Sequence, residues 1–270
     1  MKSGQARIVT DASFNEVIEI VGRNRYPEKN KAILYISFKL GLRVQEIALL
    51  QIKEVAALNP NNTGLDGFSL NEFLALPASY TKGANACRKG AESKSKSRVL
   101  SFKSSEFDAL VATIIERVQH GLPVNPEDHY PPAKKKNGTA RTLPMVDSDL
   151  REVLTAYLVW RLDKYPKTKL SDPLFISQKG VPYSPHTLQA HMGKMLKAWC
   201  GIERASSHSG RRTLLTKVIK GVGDIKVAQK IAGHADAATT LIYTDATELD
   251  VSHAMKTIAT DKDIFGMNQY

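Results

Sequence analysis

The stretch that decides the fold begins with His208-Ser209-Gly210-Arg211 and ends with Thr240-Leu241-Ile242-Tyr243. Gly233-His234 lies between these two motifs, and an upstream block reads Gly41-Leu42-Arg43-Val44-Gln45-Glu46. Together the motifs contain guanidinium groups, imidazoles and a phenol. Side chains of these types, in this order, predict a site that attacks a phosphodiester without a metal ion.

Arg43 and Arg211 fit the negative charge that develops when a phosphodiester is attacked. The nonbridging oxygens of the phosphorane gain charge, and planar guanidinium groups stabilise them through paired, charge-assisted hydrogen bonds. His208 lies three residues before Arg211, a spacing that can place both side chains on one helical face. We therefore expect these three residues to surround one phosphate.

Tyr243 is the candidate nucleophile. A tyrosine hydroxyl has an ordinary pKa of about 10, so it attacks at neutral pH only where cations and a proton acceptor assist its ionisation. His208 and the two arginines would supply both. An aryl phosphodiester retains most of the bond energy of the broken linkage, so rejoining needs no ATP, and the sequence contains no nucleotide-binding loop. A lone histidine or tyrosine is more often a packing or surface residue, so only the whole set indicates catalysis.

The composition indicates a polyanionic partner. Lys and Arg number 38 against 27 Asp and Glu in 270 residues, for a formal charge of +11. This balance favours nucleic acid first and an anionic membrane surface second. No apolar run approaches the roughly 18 residues of a membrane span, and no signal-peptide core is present, so we expect a soluble, cytoplasmic protein. Two cysteines are too few for a disulfide framework or a cysteine-rich zinc site, which fits a reducing compartment.

Apolar periodicity predicts a mainly helical chain with few, short strands. One helix is expected after a capping box at Ser13, and a second from Glu28 to about Leu40. Gly41 is placed to end the second helix, so that Arg43 lies at the start of a third. A short strand pair is expected around residues 133–146. Further helices are predicted at residues 107–118, 147–158 and 184–199.

One catalytic domain over residues 1–270 is the expected organisation, with an insertion at residues 59–132. The insertion begins at a turn-forming Asn-Pro-Asn-Asn run, and residues 82–103 carry seven Lys or Arg against one acid. This basic segment is suited to phosphate contacts that position DNA without reading its sequence, and a solubilising loop is the alternative. The candidate DNA-binding residues are Lys82, Arg88, Lys89, Lys94, Lys96, Lys134, Lys135 and Arg212.

The ordered motifs resemble those of the tyrosine recombinase family, also called the integrase family, which shares its catalytic domain with type IB topoisomerases. The similarity is dense from Arg141 to Asp250, beginning at Arg141-Thr142-Leu143-Pro144, and the block from Gly41 to Glu46 is similar to the family's first arginine motif. The nine-residue spacing from His234 to Tyr243 also agrees. The resemblance implies a mainly α fold with a small antiparallel sheet, and site-specific cleavage and rejoining of double-stranded DNA.

The resemblance also implies the role of each site residue, with no metal ion and no cofactor. These roles are nucleophile for Tyr243, which forms a 3'-phosphotyrosyl link, phosphate ligand for Arg43, Arg211 and His234, proton acceptor for His208, and structural support for Glu46.

The family's general acid is a lysine on a strand turn, which protonates the departing 5'-oxygen. Lys136 lies five residues before Arg141, and we prefer it because the strand ending at Pro144 and the helix that follows belong to the same segment. Lys82, in a Thr-Lys-Gly tripeptide, is the alternative. A run of three lysines is also typical of a solvated surface, so the choice stays open.

Two features depart from the family's pattern. Gly210 replaces an apolar residue inside the His-x-x-Arg motif, and we expect looser packing there. Only 42 residues precede Arg43, so the helical domain that completes a clamp around DNA is expected to be absent, with an accessory DNA-binding protein as a candidate replacement.

By resemblance, residues 244–270 dock on a neighbouring protomer in a homotetramer on two paired DNA sites; folding onto their own domain is the alternative.

Two other functions remain open from the sequence. A type IB topoisomerase with the same chemistry would relax supercoils as a monomer, and a noncatalytic regulator would bind DNA on the same scaffold. The complete set of candidate catalytic residues argues against the regulator.

Overall fold

The computed structural model describes residues 6–59, 64–81, 104–124, 139–234 and 238–243. The chain divides into two compact units, one formed by Met1–Lys82 with Thr139–Tyr270 and the other by Gly83–Gly138. Residues 64–81, which the sequence assigns to an insertion at 59–132, supply two strands of the first unit. The insertion itself, with those bounds, stays a prediction.

The described residues are mainly helical, and the predicted fold class is confirmed. No helix among them is both long enough and apolar enough to span a membrane. In chain order the α-helices among the described residues are α1 (Asp11–Gly22), α2 (Pro27–Lys39), α3 (Val44–Leu49), α4 (Ser104–Gln119), α5 (Ser148–Lys164), α6 (Pro185–Gly193), α7 (Ser209–Val222), α8 (Ile225–Ala232) and α9 (Ala238–Leu241). Helix α6 continues as a π-helical turn over Lys194–Trp199. The strands are β1 (Ala56–Leu58), β2 (Phe68–Leu70), β3 (Phe73–Leu76) and β4 (Arg141–Pro144). Helix α4 belongs to the second unit.

Side-chain caps set the starts of several helices. The carboxylate of Asp147 accepts a hydrogen bond from the backbone N–H of Leu150 at 2.9 Å, so α5 begins where the sequence predicts. Helix α1 begins earlier than predicted, because Thr10 and not Ser13 is its cap: the Thr10 hydroxyl accepts from the Ser13 N–H at 3.2 Å. The capping box predicted at Ser13 is therefore wrong, although the helix is confirmed.

Helix α2 lies at the centre of the first unit. Ile33, Leu34 and Ile36 are fully buried, and the helix packs against α1, α5 and α7. Residues on nearly every side of the helix are buried, polar ones included, as is typical of a core element. Gly41, at a φ of +64°, ends this segment in the left-handed region that glycine adopts without strain. The turn that carries Arg43 is thus anchored to the most deeply buried helix.

The strands form two antiparallel pairs, β1 with β2 and β3 with β4. Leu76 is the register partner of Arg141, and Phe73 that of Pro144. The described partner of the 141–144 strand therefore comes from residues 73–76. The strand pair predicted around 133–146 would draw its other strand from residues 133–138, which lie outside the described residues, so that pair stays a prediction. Residues 77–140 connect β3 to β4.

The packing around Gly210 is tight, and the expected loosening there is wrong. A Cβ atom at this position would lie 2.8 Å from the backbone carbonyl carbon of Ser37 and 2.8 Å from the ring of Phe38, both on α2. These distances are shorter than non-bonded carbon atoms tolerate. The absence of a side chain at Gly210 is therefore what allows α7 and its Arg211 to approach α2 so closely.

Candidate active site

Arg43 lies directly before α3, and hydrogen bonds hold both its backbone N–H and its guanidinium group. Its backbone N–H donates to Oε2 of Glu46 at 2.7 Å, which satisfies one of the open N–H groups at the start of α3. Its guanidinium Nη1 donates to Oε1 of the same carboxylate at 3.2 Å and to the carbonyl of Ala232 at 3.4 Å. The side chain remains partly exposed.

Arg211, in the first turn of α7, is buried and links two distant turns. Its Nη1 donates to the carbonyl of Gly41 at 2.7 Å, and its Nη2 donates to the carbonyl of Ala232 at 2.5 Å. Because Arg43 also donates to Ala232, the two guanidinium groups are neighbours. Burial and the charge of Arg43 lower the pKa of Arg211 to about 10, so it is still a cation at neutral pH.

His234 is neutral at physiological pH, and its tautomer follows from its partners. Burial and the charge of Arg211 lower its pKa to about 4. Its Nε2 lies 3.0 Å from Nη2 of Arg211, which can only donate, so Nε2 accepts. The ring proton therefore resides on Nδ1 and is donated to the hydroxyl of the buried Thr240 at 2.9 Å.

Tyr243 lies beside His234. The two rings are nearly parallel, with centroids 6.0 Å apart and planes inclined by 12°. The phenol ring packs on a small apolar cluster that includes Leu215 and Ala232, and its backbone N–H donates to the carbonyl of Thr240 at 3.0 Å. A short turn after α9 thus places both the ring and its main chain next to the histidine.

His208 directly precedes α7 and is exposed. Its backbone N–H donates to the hydroxyl of Ser206 at 3.2 Å, and its carbonyl accepts from the N–H of Arg212 at 2.9 Å. These bonds hold His208 one turn from Arg211, as its spacing predicts. Arg212, a candidate DNA contact, donates from Nη1 to the carbonyl of Ala6 at 3.1 Å, so part of its side chain anchors the N-terminal segment.

Glu46 is fully buried and joins two arginines. Nη1 and Nη2 of Arg141 donate to its two oxygens at 2.9 and 2.7 Å, in addition to the bonds from Arg43. Burial alone would raise the pKa of Glu46, but the hydrogen bonds and charge of Arg141 outweigh it, and the pKa lies below its ordinary value. Its surroundings agree with the predicted supporting role.

Arg141 stands in the Arg-Thr-Leu-Pro motif, for which the sequence predicts no catalytic role. The available signal was strand alternation: Arg141 and Leu143 share the buried face of β4. A buried arginine requires a carboxylate or several carbonyl partners. Its partner Glu46, however, is 95 residues away in the chain, and only the fold shows the pair.

The turn before His234 is shaped by the same arginine. Gly233 has a φ of +61°, and a Cβ atom there would lie 2.8 Å from Nη1 of Arg141. Only glycine satisfies both conditions. Arg141 thus contacts the turn that carries His234 as well as the carboxylate that holds Arg43.

Five of the predicted residues meet at one place, and eight others lie outside the described residues. In the part of the chain that the structure describes, no cluster of three or more His, Cys, Asp or Glu side chains is arranged to hold a metal ion. The residues brought together are Arg43, Glu46, Arg211, His234 and Tyr243. The predicted residues that lie outside the described residues are Lys82, Arg88, Lys89, Lys94, Lys96, Lys134, Lys135 and Lys136.

The family model described as the phage integrase family matches residues 95–249, more than half of the chain. The chain belongs to the phage integrase family. Its curated relatives include the tyrosine recombinase XerD of Caulobacter vibrioides, 32% identical over 129 residues, which cover 46% of this chain and 41% of XerD. XerC of Agrobacterium fabrum is 27% identical over 139 residues, covering 47% of this chain and 41% of XerC. The matches thus span about two fifths of each relative.

Solved structures show the same integrase-family fold. XerA recombinase superposes with a TM-score of 0.57 at 18% identity, covering 98% of this chain and 67% of XerA. The Tn1549 transposon integrase in complex with transposon right end DNA gives 0.56 at 16% identity, covering 96% of this chain and 68% of that protein. The family match contains Arg141, Arg211, His234 and Tyr243, and the fold adds Arg43 and Glu46 from outside the matched residues.

Proposed function

We propose that this integrase-family chain is a site-specific DNA recombinase that cleaves and rejoins DNA through a covalent 3'-phosphotyrosine at Tyr243. The observation that carries the proposal is the convergence of Arg43, Arg211 and the neutral His234 beside the Tyr243 ring. Its matched relatives are tyrosine recombinases.

In the proposed cleavage step, the scissile phosphate binds at the two neighbouring guanidinium groups. The Arg43 side chain is partly exposed, and because its Nε and Nη2 atoms donate to none of the described residues, we assign these two atoms to a phosphate oxygen. As the Tyr243 oxygen bonds to phosphorus, His208 accepts the phenolic proton and a lysine protonates the departing 5'-oxygen. Rejoining is the reverse: the 5'-hydroxyl attacks the phosphotyrosine and Tyr243 leaves with a proton.

His234 supplies a neutral hydrogen bond in this scheme. To donate to a phosphate oxygen through Nε2, it must carry its proton there and leave Nδ1 as an acceptor. The hydroxyl of Thr240 can donate or accept, so it supports either tautomer. A phosphate that takes over a donor of Arg211 would also release Nε2 from its present bond.

We retain Lys136 as the proposed general acid, with Lys82 as the alternative. Both lie on the connection between β3 and β4: Lys82 is six residues after Leu76 and Lys136 is five before Arg141, and these two strand ends are register partners. The argument that Lys136 alone shares a segment with the strand that ends at Pro144 therefore no longer favours it over Lys82.

The two lysines can be tested on DNA whose bridging 5'-oxygen is replaced by sulfur. Sulfur leaves without a proton, so loss of the true general acid is rescued on this substrate. We expect Lys136→Ala to be slow on ordinary DNA and near the wild-type rate on the sulfur substrate, with Lys82→Ala affected equally on both. A Lys136→Ala variant that is slow on both, or normal on both, would contradict the assignment.

The proposed partners are double-stranded DNA and other copies of this chain. A homotetramer on two paired sites, docking of residues 244–270 on a neighbouring protomer, an accessory DNA-binding protein and a cytoplasmic location rest on the resemblance and composition. Support for the DNA partner comes from the charge of +11 and from the Tn1549 integrase, which has the same fold and was solved on DNA.

The function is tested with a pool of nicked suicide duplexes that include the DNA flanking the gene. Cleavage beside the nick releases a short strand, so a covalent intermediate accumulates. We expect a denaturant-resistant protein–DNA adduct with the wild-type chain and none with Tyr243→Phe. DNA binding without any adduct would indicate a noncatalytic regulator instead. Relaxation of plasmid that lacks the recovered site would indicate a topoisomerase.

A further inference from the structure

Arg141 and Arg43 share a carboxylate on unequal terms. Arg141 forms a two-point pair with Glu46, at 2.9 and 2.7 Å, and its side chain is almost fully buried. The guanidinium of Arg43 makes one longer bond of 3.2 Å to the same carboxylate and is more exposed. Paired bonds between arginine and carboxylate are the stronger arrangement.

The stronger pairing of Arg141 with Glu46 affects how much of the charge of Arg43 is available to a phosphate. Three arginines, Arg43, Arg141 and Arg211, surround one carboxylate, Glu46, and the nearby His234 is neutral. Without Arg141, the buried carboxylate would have Arg43 as its principal counter-ion. A phosphate would then compete with Glu46 for Arg43, in a site where low polarity strengthens every charge interaction.

We propose that Arg141 is a positioning residue that neutralises Glu46, so that Glu46 can orient Arg43 while the positive charge of Arg43 stays available to the scissile phosphate. The inference rests on the proposed function and deepens it, because it adds to the site a residue that does not touch DNA. Contact of Arg141 with Gly233 further couples this pair to the turn that carries His234.

The test compares two DNA substrates that differ by one charge. Replacing a nonbridging oxygen of the scissile phosphate with a methyl group gives a neutral methylphosphonate, which depends less on cations. We expect Arg141→Met to form the Tyr243 adduct about 10²-fold more slowly than wild type on ordinary DNA. On methylphosphonate DNA the difference between the two proteins should shrink at least tenfold.

A second variant removes the carboxylate charge as well. In Arg141→Met combined with Glu46→Gln, Arg43 has no buried anion to neutralise, so adduct formation on ordinary DNA should recover at least tenfold over Arg141→Met. A purely structural role for Arg141 predicts the opposite, because the double variant loses more native bonds than the single one.

Arg151 provides the matched control. It donates to the carbonyl of Asn71, two residues before β3, at 3.0 Å and to that of Met145, directly after β4, at 3.4 Å, and it has no bond to Glu46. Arg151→Met should lower stability, measured by thermal unfolding, and any loss of rate should be equal on both substrates. If Arg141→Met does not fold, Arg141→Lys carries the test: its defect must also be smaller on methylphosphonate DNA.

The outcomes distinguish failure of the proposed role of Arg141 from failure of the proposed recombinase function. A wild-type chain that forms no adduct on either substrate refutes the proposed function. A wild-type chain that reacts, with Arg141→Met equally slow on both substrates and not rescued by Glu46→Gln, refutes the role of Arg141 alone. An Arg141→Met variant as fast as wild type on ordinary DNA refutes it too.

Discussion

At the scale of single residues, the neutral state of His234 has a measurable consequence for stability. Its pKa is about 4 in the folded chain, and an unfolded histidine titrates near 6.5, so between these values the unfolded state binds more protons. The stabilisation is present above about pH 6.5 and is lost as the pH falls toward 4. His191, buried and bonded through Nε2 to Asn30, has a similarly lowered pKa of about 4.

We therefore predict that the free energy of unfolding falls between pH 6.5 and 4.5, by up to about 1.4 kcal/mol per pH unit for each of these histidines. Urea unfolding at a series of pH values measures it. His191→Gln, which is remote from the proposed chemistry, should show a shallower fall than wild type because one titrating group is removed. Identical pH profiles for the two proteins would contradict the account.

Thr240 is the residue that holds the His234 ring, and a matched pair of substitutions tests it. Thr240→Val keeps the shape but leaves Nδ1–H of His234 buried without an acceptor, which costs about 1–3 kcal/mol. We expect lower stability in thermal unfolding and about tenfold slower adduct formation, as a positioning hydrogen bond is lost. Thr240→Ser retains the hydroxyl and should stay close to wild type. Equal behaviour of the two variants would show that the hydroxyl is unimportant.

The residues of the site differ in how far the sequence reveals them. Residue type and order are enough to predict the chemistry of the motifs that contain Arg43, His208, Arg211, His234 and Tyr243. The roles of Arg141 and Thr240 depend on which buried groups they contact. Spacing along the chain does not reveal the pair of Arg141 with Glu46, which are 95 residues apart.

At the scale of elements, the packing of α7 against α2 positions Arg43 and Arg211. Gly210 allows the two helices to approach closely enough for this packing. Gly210→Ala places a methyl group 2.8 Å from the α2 backbone, so we expect a loss of about 1–3 kcal/mol or more in chemical denaturation. Gly221, on the same helix, has open space around its Cα. Gly221→Ala should therefore stabilise by up to about 1 kcal/mol through helix propensity. A Gly210→Ala variant as stable as Gly221→Ala would refute the packing argument.

Helix starts and ends were predictable because their signals are local: Asp147, Ser184 and Gly41 act within four residues of the ends they define. The α1 cap was misplaced because Thr10 and Ser13 are both competent caps, and periodicity alone does not choose between them. Strand pairing was not predictable, since β3 and β4 are each only four residues long and residues 77–140 lie between them. Such short strands contain too little pattern to identify a distant partner.

At the scale of the whole molecule, the first unit carries all the residues that meet at the site, although they come from three separated parts of the chain. Residues 41–46 follow α2, Arg141 begins β4, and the remaining residues lie between positions 208 and 243. The charge of +11 favours binding of a polyanion but does not say where on the surface it binds. The place where a phosphate would react is defined only by the meeting of these three parts of the chain.

The most direct measurement is the identity of the bond in the trapped adduct. After cleavage of a nicked suicide duplex, the adduct is digested with protease and nuclease and analysed by mass spectrometry. The account predicts one modified peptide in which the oxygen of Tyr243 carries the 3'-phosphate of a nucleotide. A nucleotide attached to another residue, or attached to Tyr243 through a 5'-phosphate, would contradict it.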